Sequence, residues 1–380
     1  MKATADARVT FPPAMEAADP ARAFASAISV RETAPEIWVL LGGRLGDNLQ
    51  MLALAEATGI RYRAIQLRFN RASSLPNWLL GASRLSSVSE EAIGPPWPAA
   101  VISSGRRAVP LATWIRRRSG PTTRLIHVGR PWAPLSWFDL VVTTPQYRLP
   151  PRANVVFNQM PLCPPGRFTG AQDPGGFRGR LAGLPRPHVA VFVGGTSRPY
   201  VLDESATCGL CERALELAGN EGTVIVVASP RTSAAAIDTF RAKLPPFAVV
   251  CPWNPKANPY FAVREDADRI IVTIDSVSMV SELITIGAPV EVFQLPMRRD
   301  LRMRFCDRLE RAAACHAQLA KLRGALIAAG FLTSVRDLGS YVDALRGEGL
   351  FADAARARAL QNAELRGTAR RVRRLVHAGS

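Results

Sequence analysis

The chain is short of acidic residues, lysine, histidine and cysteine, and each shortage narrows what it does. Asp and Glu number 31 against 48 Lys and Arg, arginine far outnumbers lysine, and the formal net charge is +17. That balance favours polyanionic partners: nucleic acid, phospholipid surfaces or phosphorylated small molecules. An Arg- and Ala-rich composition also follows from a GC-rich genome alone. The six cysteines are Cys163, Cys208, Cys211, Cys251, Cys306 and Cys315, and only Cys208 and Cys211 form a C-x-x-C. Without a second pair or a His at ligand spacing, that pair is not expected to hold zinc. A helix over 203–218 would place both on one face as core thiols. Few cysteines and no secretion signal fit a reducing cytoplasm. No segment offers the roughly 18 uninterrupted apolar residues of a membrane span. Residues 1–35 lack the compact apolar core of a secretory signal and read as a disordered leader.

What is present is core material and a repeated grammar. With 380 residues, 48% of them hydrophobic, two or three packed domains are expected. Short β-branched runs over 37–41, 62–67, 99–103, 123–128 and 138–143 predict strands of a buried parallel sheet. The first ends on Gly42-Gly43-Arg44-Leu45-Gly46-Asp47-Asn48, a glycine turn before a helix that lacks the full G-x-G-x-x-G spacing. Asp47 stands at the helix start, where it serves either as a capping carboxylate or as a functional one. Later strand ends carry Ser104, His127, Arg130 and Gln146. In an open parallel sheet ligands sit at such ends. His127 is open to a structural or a catalytic reading. Basic clusters recur at 61–71 and 116–118, and Trp78 stands ready to face a partner or a membrane.

Residues 151–187 are Pro- and Gly-rich and read as a linker. Beyond them the grammar restarts with strands over 188–193, 223–228, 248–251, 270–274 and 290–294, separated by helices. Alternating strands and helices specify a doubly wound α/β domain. The strand ends carry Gly194-Gly195-Thr196 and Ser229-Pro230-Arg231-Thr232. After 270–274 come Asp275 and a helix bearing Ser276, Ser278, Ser281 and Glu282, closed by Gly287. Strand, polar turn and helix start together make an anion site; the plain alternative is that Ser276 is an N-cap and Glu282 a surface residue.

The fold class expected is therefore α/β: two Rossmann-like doubly wound domains facing a cleft, GT-B-like, with a helical C-terminal extension. The organisation expected is a leader at 1–35, an acceptor domain at 36–150, the linker at 151–187, a nucleotide-sugar domain at 188–335 and a basic helical tail at 336–380.

Seven motifs occur in order: GGRLGDNLQ at 42–50, HVGRP at 127–131, DLVVTTPQYRLP at 139–150, LPRPHVAVFVGGTSRPYVLD at 184–203, SPRT at 229–232, NPY at 258–260 and VTIDSVSMVSE at 272–282. With them the chain resembles the mitochondrial-fission Elm-type family over about 37–294. The resemblance implies a GT-B glycosyltransferase for bacterial-type members and an organelle-surface adaptor for plant members. From the GT-B outline, the second domain would hold a nucleotide-sugar through Gly194, Gly195, Thr196, Ser229, Arg231, Asp275, Ser276, Ser278, Ser281 and Glu282. The first would hold a glycan or lipid-linked acceptor through Gly46, Asp47, His127, Arg130 and Gln146. Asp47 is the expected catalytic base and His127 its reserve. Arg231 and the helix dipole would neutralise the leaving diphosphate, so no metal and no cofactor are expected. No nucleic-acid partner is expected, since no recognition motif accompanies the arginines. Peripheral contact with an anionic membrane at the inner, cytoplasmic face is expected from the basic clusters with Trp78 or Trp114.

Overall fold

A computed structural model describes residues 36–162, 173, 176–332 and 336–378. The leader expected at 1–35, Cys163 and most of 163–175 lie outside the described residues.

Two parallel sheets form the framework. The first is built from β1 (Ile37–Leu41), β2 (Tyr62–Phe69), β3 (Ser87–Ser89), β4 (Ala100–Ser104), β5 (Arg124–Val128), β6 (Leu140–Thr143) and β7 (Val155–Phe157), in the order β3-β2-β1-β4-β5-β6-β7. Only the edge strand β3 is antiparallel. The second is built from β8 (His188–Gly195), β9 (Thr223–Arg231), β10 (Val249–Cys251), β11 (Arg269–Thr273) and β12 (Val290–Phe293), in the order β10-β9-β8-β11-β12. β1 and β8 are buried along their whole length, which is why they read as unbroken apolar runs. Helices α1 (Leu45–Ala57), α3 (Gly105–Ser119), α5 (Glu204–Ala218) and α6 (Ala234–Lys243) make crossovers between parallel strands, and α2 (Asn77–Leu80) and α4 (Phe177–Leu181) are single short turns. The fold is the GT-B-like pair of Rossmann-like domains.

In each sheet the strand order reverses beside the strand that opens it. Chain direction switches between β1 and β4 in the first sheet and between β8 and β11 in the second. Loops leaving such neighbours part to opposite faces and leave a crevice at the carboxyl ends. The sequence places its glycine turns and polar clusters there: Gly42–Asp47 after β1, Gly194 and Gly195 ending β8, and Asp275–Ser278 after β11.

The last third of the chain ties the halves together. Helices α9 (Leu301–Cys315) and α10 (Ala317–Ala328) follow α7 (Tyr260–Asp266) and α8 (Val277–Leu283). Ile327 and Ala328 of α10 join the core on one face of the first sheet. Helix α11 (Leu338–Gly347) packs Leu338, Tyr341, Val342 and Leu345 into the second core. Helix α12 (Ala354–His377) starts beside that core through Ala357, then crosses to the first half, where Leu365, Ala369, Val372 and Val376 are buried against α1 and β5. Its arginines occupy the outer face, so a stretch that reads as a solvated basic helix is amphipathic and structural. Glu364 accepts from the backbone N–H of Gln159 at 2.5 Å and Met160 at 3.1 Å, and Gln361 donates to the Pro161 carbonyl at 3.0 Å. These bonds fasten the strand-to-linker passage to α12.

Candidate functional site

The carboxyl ends of the two sheets face each other across a cavity of about 280 Å³. Its first-half wall is the turn 43–47, Ser104, Gly129, Thr144, Gln146 and Tyr147. The opposite wall is Val193, Ser197, Ser229–Arg231, Trp253, Asn258, Tyr260, Phe261, Asp275–Met279 and Glu282, and Arg336 closes one side. The halves touch at its floor. A Cβ on Gly46 would lie 3.3 Å from the Ser278 side chain, so only glycine allows this approach without displacing Ser278.

On the first-half wall, the turn after β1 is held from within. Asn48 accepts from the Gly42 N–H at 2.9 Å and donates to the Gly42 carbonyl at 2.8 Å. This leaves Asp47, in the first turn of α1, free of any side-chain bond among the described residues. Its carboxyl is pushed above the ordinary 3.8 by burial, opposed by the charges of Arg44, Arg336 and Arg231. The result is a desolvated carboxyl surrounded by guanidinium groups from three separate segments. Tyr147 stands near it, with its phenol pushed up by burial and by Asp47. Gln146 is buried and donates to Thr144 Oγ1 at 3.0 Å, leaving its side-chain oxygen without a partner in the cavity wall.

Two of the residues expected on this wall lie elsewhere. His127 is fully buried on β5, bonded through Nδ1 to Ser103 at 3.1 Å and stacked near Phe138. Burial holds its imidazole at about 3, so it stays neutral, and it does not line the cavity. Strand alternation explains the miss: Val128 and Gly129 face the cleft and His127 does not. Arg130 lines the neighbouring groove instead, with its guanidinium 4.0 Å from the Trp132 ring centre and 5.8 Å from that of Tyr147. Burial brings it down to about 10.

The second-half wall is densely bonded. Arg231 reaches Asp275 at 2.5 Å, and Thr273 donates to the same carboxylate at 2.7 Å. Asp275 is raised by burial, with Arg231 opposing. Gly194 abuts it: an added Cβ would fall 2.4 Å from the carboxylate oxygens. Gly195, with φ +127°, would place a Cβ 2.2 Å from the Arg231 carbonyl, so it too must be glycine. The Ser229 hydroxyl donates to the Gly194 carbonyl, and Thr232 donates to the Val193 and Gly194 carbonyls at 3.2 Å each. These residues brace the end of β8 and do not offer free donors. Glu282 lines the cavity but is ion-paired with Arg264 and accepts from the Tyr260 hydroxyl at 3.2 Å. Burial raises it, opposed first by Arg264. Ser276 and Ser278 line the cavity. Ser281 lies on the buried face of α8, and Thr196 faces away, accepting from the Leu202 N–H at 3.3 Å.

The chain contains one Asp-x-Asp, Asp266-Ala267-Asp268, which a reading for metal ligands passes over. It stands at the amino end of β11, across the sheet from the cavity. There Asp266 and Asp268 bind Arg186, and Asp266 also binds His188 at 2.5 Å. It is an ion-pair cluster. No group of three or more potential metal ligands occurs among the described residues.

Residues 46–328 match the family model described as Mitochondrial fission ELM1. The chain belongs to that family. The match opens at Gly46, beside Asp47, and includes Glu282 but leaves Arg336 outside. Among curated proteins it is 23% identical over 306 residues to the uncharacterized protein RP120 of Rickettsia prowazekii, covering 70% of this chain and 85% of that one. It is 26% identical over 218 residues to the mitochondrial fission protein ELM1 of Arabidopsis thaliana, covering 51% of each. Among solved structures, a Staphylococcus aureus MnaA–UDP complex aligns with a TM-score of 0.43 at 9% identity, over 84% of this chain and 98% of that one. The glycotransferase of kitacinnamycin aligns at 0.44 and 16% identity, over 92% of this chain and 100% of that one.

For this ELM1-family chain, sequence reasoning missed Arg44, Arg336, Tyr147, Trp253 and Phe261. Arg44 stood inside the first glycine turn and was legible there. Arg336 precedes α11, far from any strand end, and its Nη2–Ser197 bond of 2.9 Å is a purely tertiary event. With Asp275 held by Arg231 and Glu282 by Arg264, the cavity keeps Arg44 and Arg336 in excess over Asp47. Such a site favours an anionic ligand and can place a carboxylate next to it.

Proposed function

We propose that the chain is a GT-B-type glycosyltransferase moving a sugar from a nucleotide-sugar to a cell-envelope glycan or lipid-linked acceptor. One observation carries this reading: the Asp47 carboxyl, raised by burial, stands among Arg44, Arg231 and Arg336 in a cavity walled by both sheets. A hydroxyl acceptor needs a base, and a carboxyl raised by burial with no bonding partner among the described residues suits that role. The acceptor oxygen attacks the anomeric carbon, its proton passes to Asp47, and the carbon–oxygen bond to the diphosphate breaks with its electron pair leaving on the nucleotide. Arg44 and Arg336, which no carboxylate holds among the described residues, offset the growing charge of that leaving group. Ser276 and Ser278 supply hydroxyl donors, and Glu282 is in position for a ribose hydroxyl. Trp253 and Phe261 offer flat faces to a base. The partnerless Gln146 oxygen suits an acceptor hydroxyl. Gly194, Gly195, Ser229 and Asp275 shape the wall, while His127, Thr196 and Ser281 take no part.

The test is a thermal-shift screen against UDP-, GDP-, ADP- and CMP-sugars, followed by transfer assays. Stabilisation by one nucleotide class supports the reading and names the base. No shift with any of them sinks it. A second reading, a non-catalytic adaptor at a membrane surface, draws support from the exposed apolar face described next. It would keep the cleft without nucleotide-sugar binding. In either case the acceptor or partner would be met at the inner face of a membrane; no helix among the described residues is long and apolar enough to cross one.

A further inference from the structure

A second and larger concavity, of about 1580 Å³, opens beside the cleft between the first sheet's helices and a wall of Arg198, Pro199, α9, the end of α10 and Arg336. Small-molecule sites are usually about 300–1,000 Å³, so this groove has room for something longer. Its rim is apolar and uncovered: Trp78 is 79% exposed, Leu301 81%, Phe305 62% and Phe331 86%. Three of the chain's seven tryptophans, Trp78, Trp132 and Trp137, line it. Large apolar side chains gathered this way on a surface mark a binding face. Trp114, the other tryptophan expected at a membrane, is not part of it: it packs edge-on to Trp97 and lies under Arg84 and Arg118.

The polar lining is almost wholly of one sign. Arg117, Arg198 and Arg336 line the groove and make no ion pair among the described residues, while Asp300 is its one acidic lining residue. Arg336 also lines the cleft cavity. The two spaces therefore meet at one guanidinium group, a short way from Asp47.

We propose that this groove seats a lipid phosphate, with its hydrocarbon chain along Trp78, Phe305 and Phe331 and its phosphate at Arg198 and Arg336. The head is thereby delivered to the cleft. The inference rests on the glycosyltransferase reading and names its acceptor's chemistry. An apolar trough alone would suit any greasy partner. A trough rimmed by unpaired arginines and continuous with an anion-binding cleft selects an amphiphile whose one polar end is anionic. Tryptophans suit the headgroup level of a bilayer, where such a lipid would be picked up.

The test is co-sedimentation of the full chain with vesicles of phosphatidylcholine alone and with phosphatidic acid added, run beside the nucleotide-sugar melting shift. Binding is expected only with phosphatidic acid. Phe305→Ser with Phe331→Ser should reduce it at least tenfold, as should Arg198→Ala, and glycerol phosphate at millimolar concentration should not displace the vesicles. All three positions lie on exposed surface, and an unchanged melting shift with nucleotide-sugar shows that the cleft is intact. Full vesicle binding by the double Phe variant would reduce the effect to surface charge and overturn the proposal. Displacement by glycerol phosphate would mean that the arginines take a free phosphate, and would overturn it too. A wild-type dimer that the Phe changes convert to monomer, with no vesicle binding, would assign the groove to a second copy. A wild-type chain that binds these vesicles but shows no shift with any nucleotide-sugar would sink the enzyme reading and leave the lipid site standing alone.

Discussion

The two halves of the molecule end their central strands in the same way and load those ends differently. In the second half every carboxylate at the cleft has a partner: Asp275 holds Arg231 and Thr273, and Glu282 holds Arg264 and Tyr260. The hydroxyls of Ser229 and Thr232 are turned back onto β8. In the first half Asp47 is half-buried and bonded to nothing among the described residues, and the charges that face it come partly from the other half. A paired carboxylate has its oxygens engaged and builds shape. An unpaired one keeps its oxygens open to an incoming proton, and burial raises its pKa above the ordinary 3.8. One topology thus yields a rigid wall on one side and a reactive group on the other.

The sharpest way to break that comparison is to remove the reactive group. Asp47→Asn keeps size and breaks no side-chain bond among the described residues, so transfer should fall by about 10²–10⁴ while nucleotide-sugar affinity stays nearly constant. Steady-state kinetics beside calorimetry decide it, and full activity in the variant would strip Asp47 of the role. The same pair of proteins tests the raised pKa. A buried carboxyl whose folded pKa exceeds its unfolded 3.8 binds its proton more tightly when folded. Wild type should therefore lose stability relative to Asp47→Asn as pH rises from about that value, and the gap should level off above the folded pKa. Melting curves from pH 3 to 8 measure the gap, and a gap that closes with rising pH would contradict the burial.

Next in size is the wall. Arg264 is buried, and Arg264→Ala strands the Glu282 carboxylate, so the second half should lose about 3–5 kcal/mol. Chemical denaturation followed by far-ultraviolet dichroism measures this. An effect below about 1 kcal/mol would mean the pair is solvated and the wall less rigid than described. Glu282→Gln keeps size and an oxygen to accept from Arg264, but turns an amide N–H toward Tyr260 and leaves the Arg264 charge uncompensated, so affinity is read beside a melting curve of the same variant. The Gln change should weaken nucleotide-sugar binding by about 1–3 kcal/mol, whereas Glu282→Ala would leave Arg264 unpaired and mix binding with folding. Unchanged affinity in the Gln variant would take Glu282 out of the ligand's reach. The smallest effect belongs to the thiols on α5, behind the second sheet. Cys211 is pushed up to about 11, chiefly by burial and next by Cys208. Cys208→Ser should change stability by under about 0.5 kcal/mol, and purified protein should carry no stoichiometric zinc by elemental analysis.

Strand positions were legible because they depend on local runs. The continuous apolar β1 and β8, the turn glycines Gly46, Gly194 and Gly195, and the strand–Asp275–helix unit could each be read from a few neighbouring residues. His127 illustrates the limit. It stands at a strand end as a site residue should, yet period-two alternation turns it into the core, and one step of register decides between ligand and filler. Glu282 reads as a free carboxylate because its partner Arg264 belongs to α7, a different helix. The arginines of α12 read as a solvated face because the opposite stripe, Leu365 to Val376, has meaning only once the first sheet lies beneath it.

By itself the sequence determined the α/β class, the two sheets, their polar turns and the excess of positive charge. These follow from hydrophobic period, glycine placement and composition, which act over a handful of residues. Only the tertiary structure decided which carboxylates are paired, that Arg336 joins Arg44 and Arg231 around Asp47, and that Trp78, Phe305 and Phe331 rim one groove. Those outcomes depend on segments far apart in the chain. Charge pairing and desolvation fall off within a few ångströms, so they are set by distance in space, which no local pattern records.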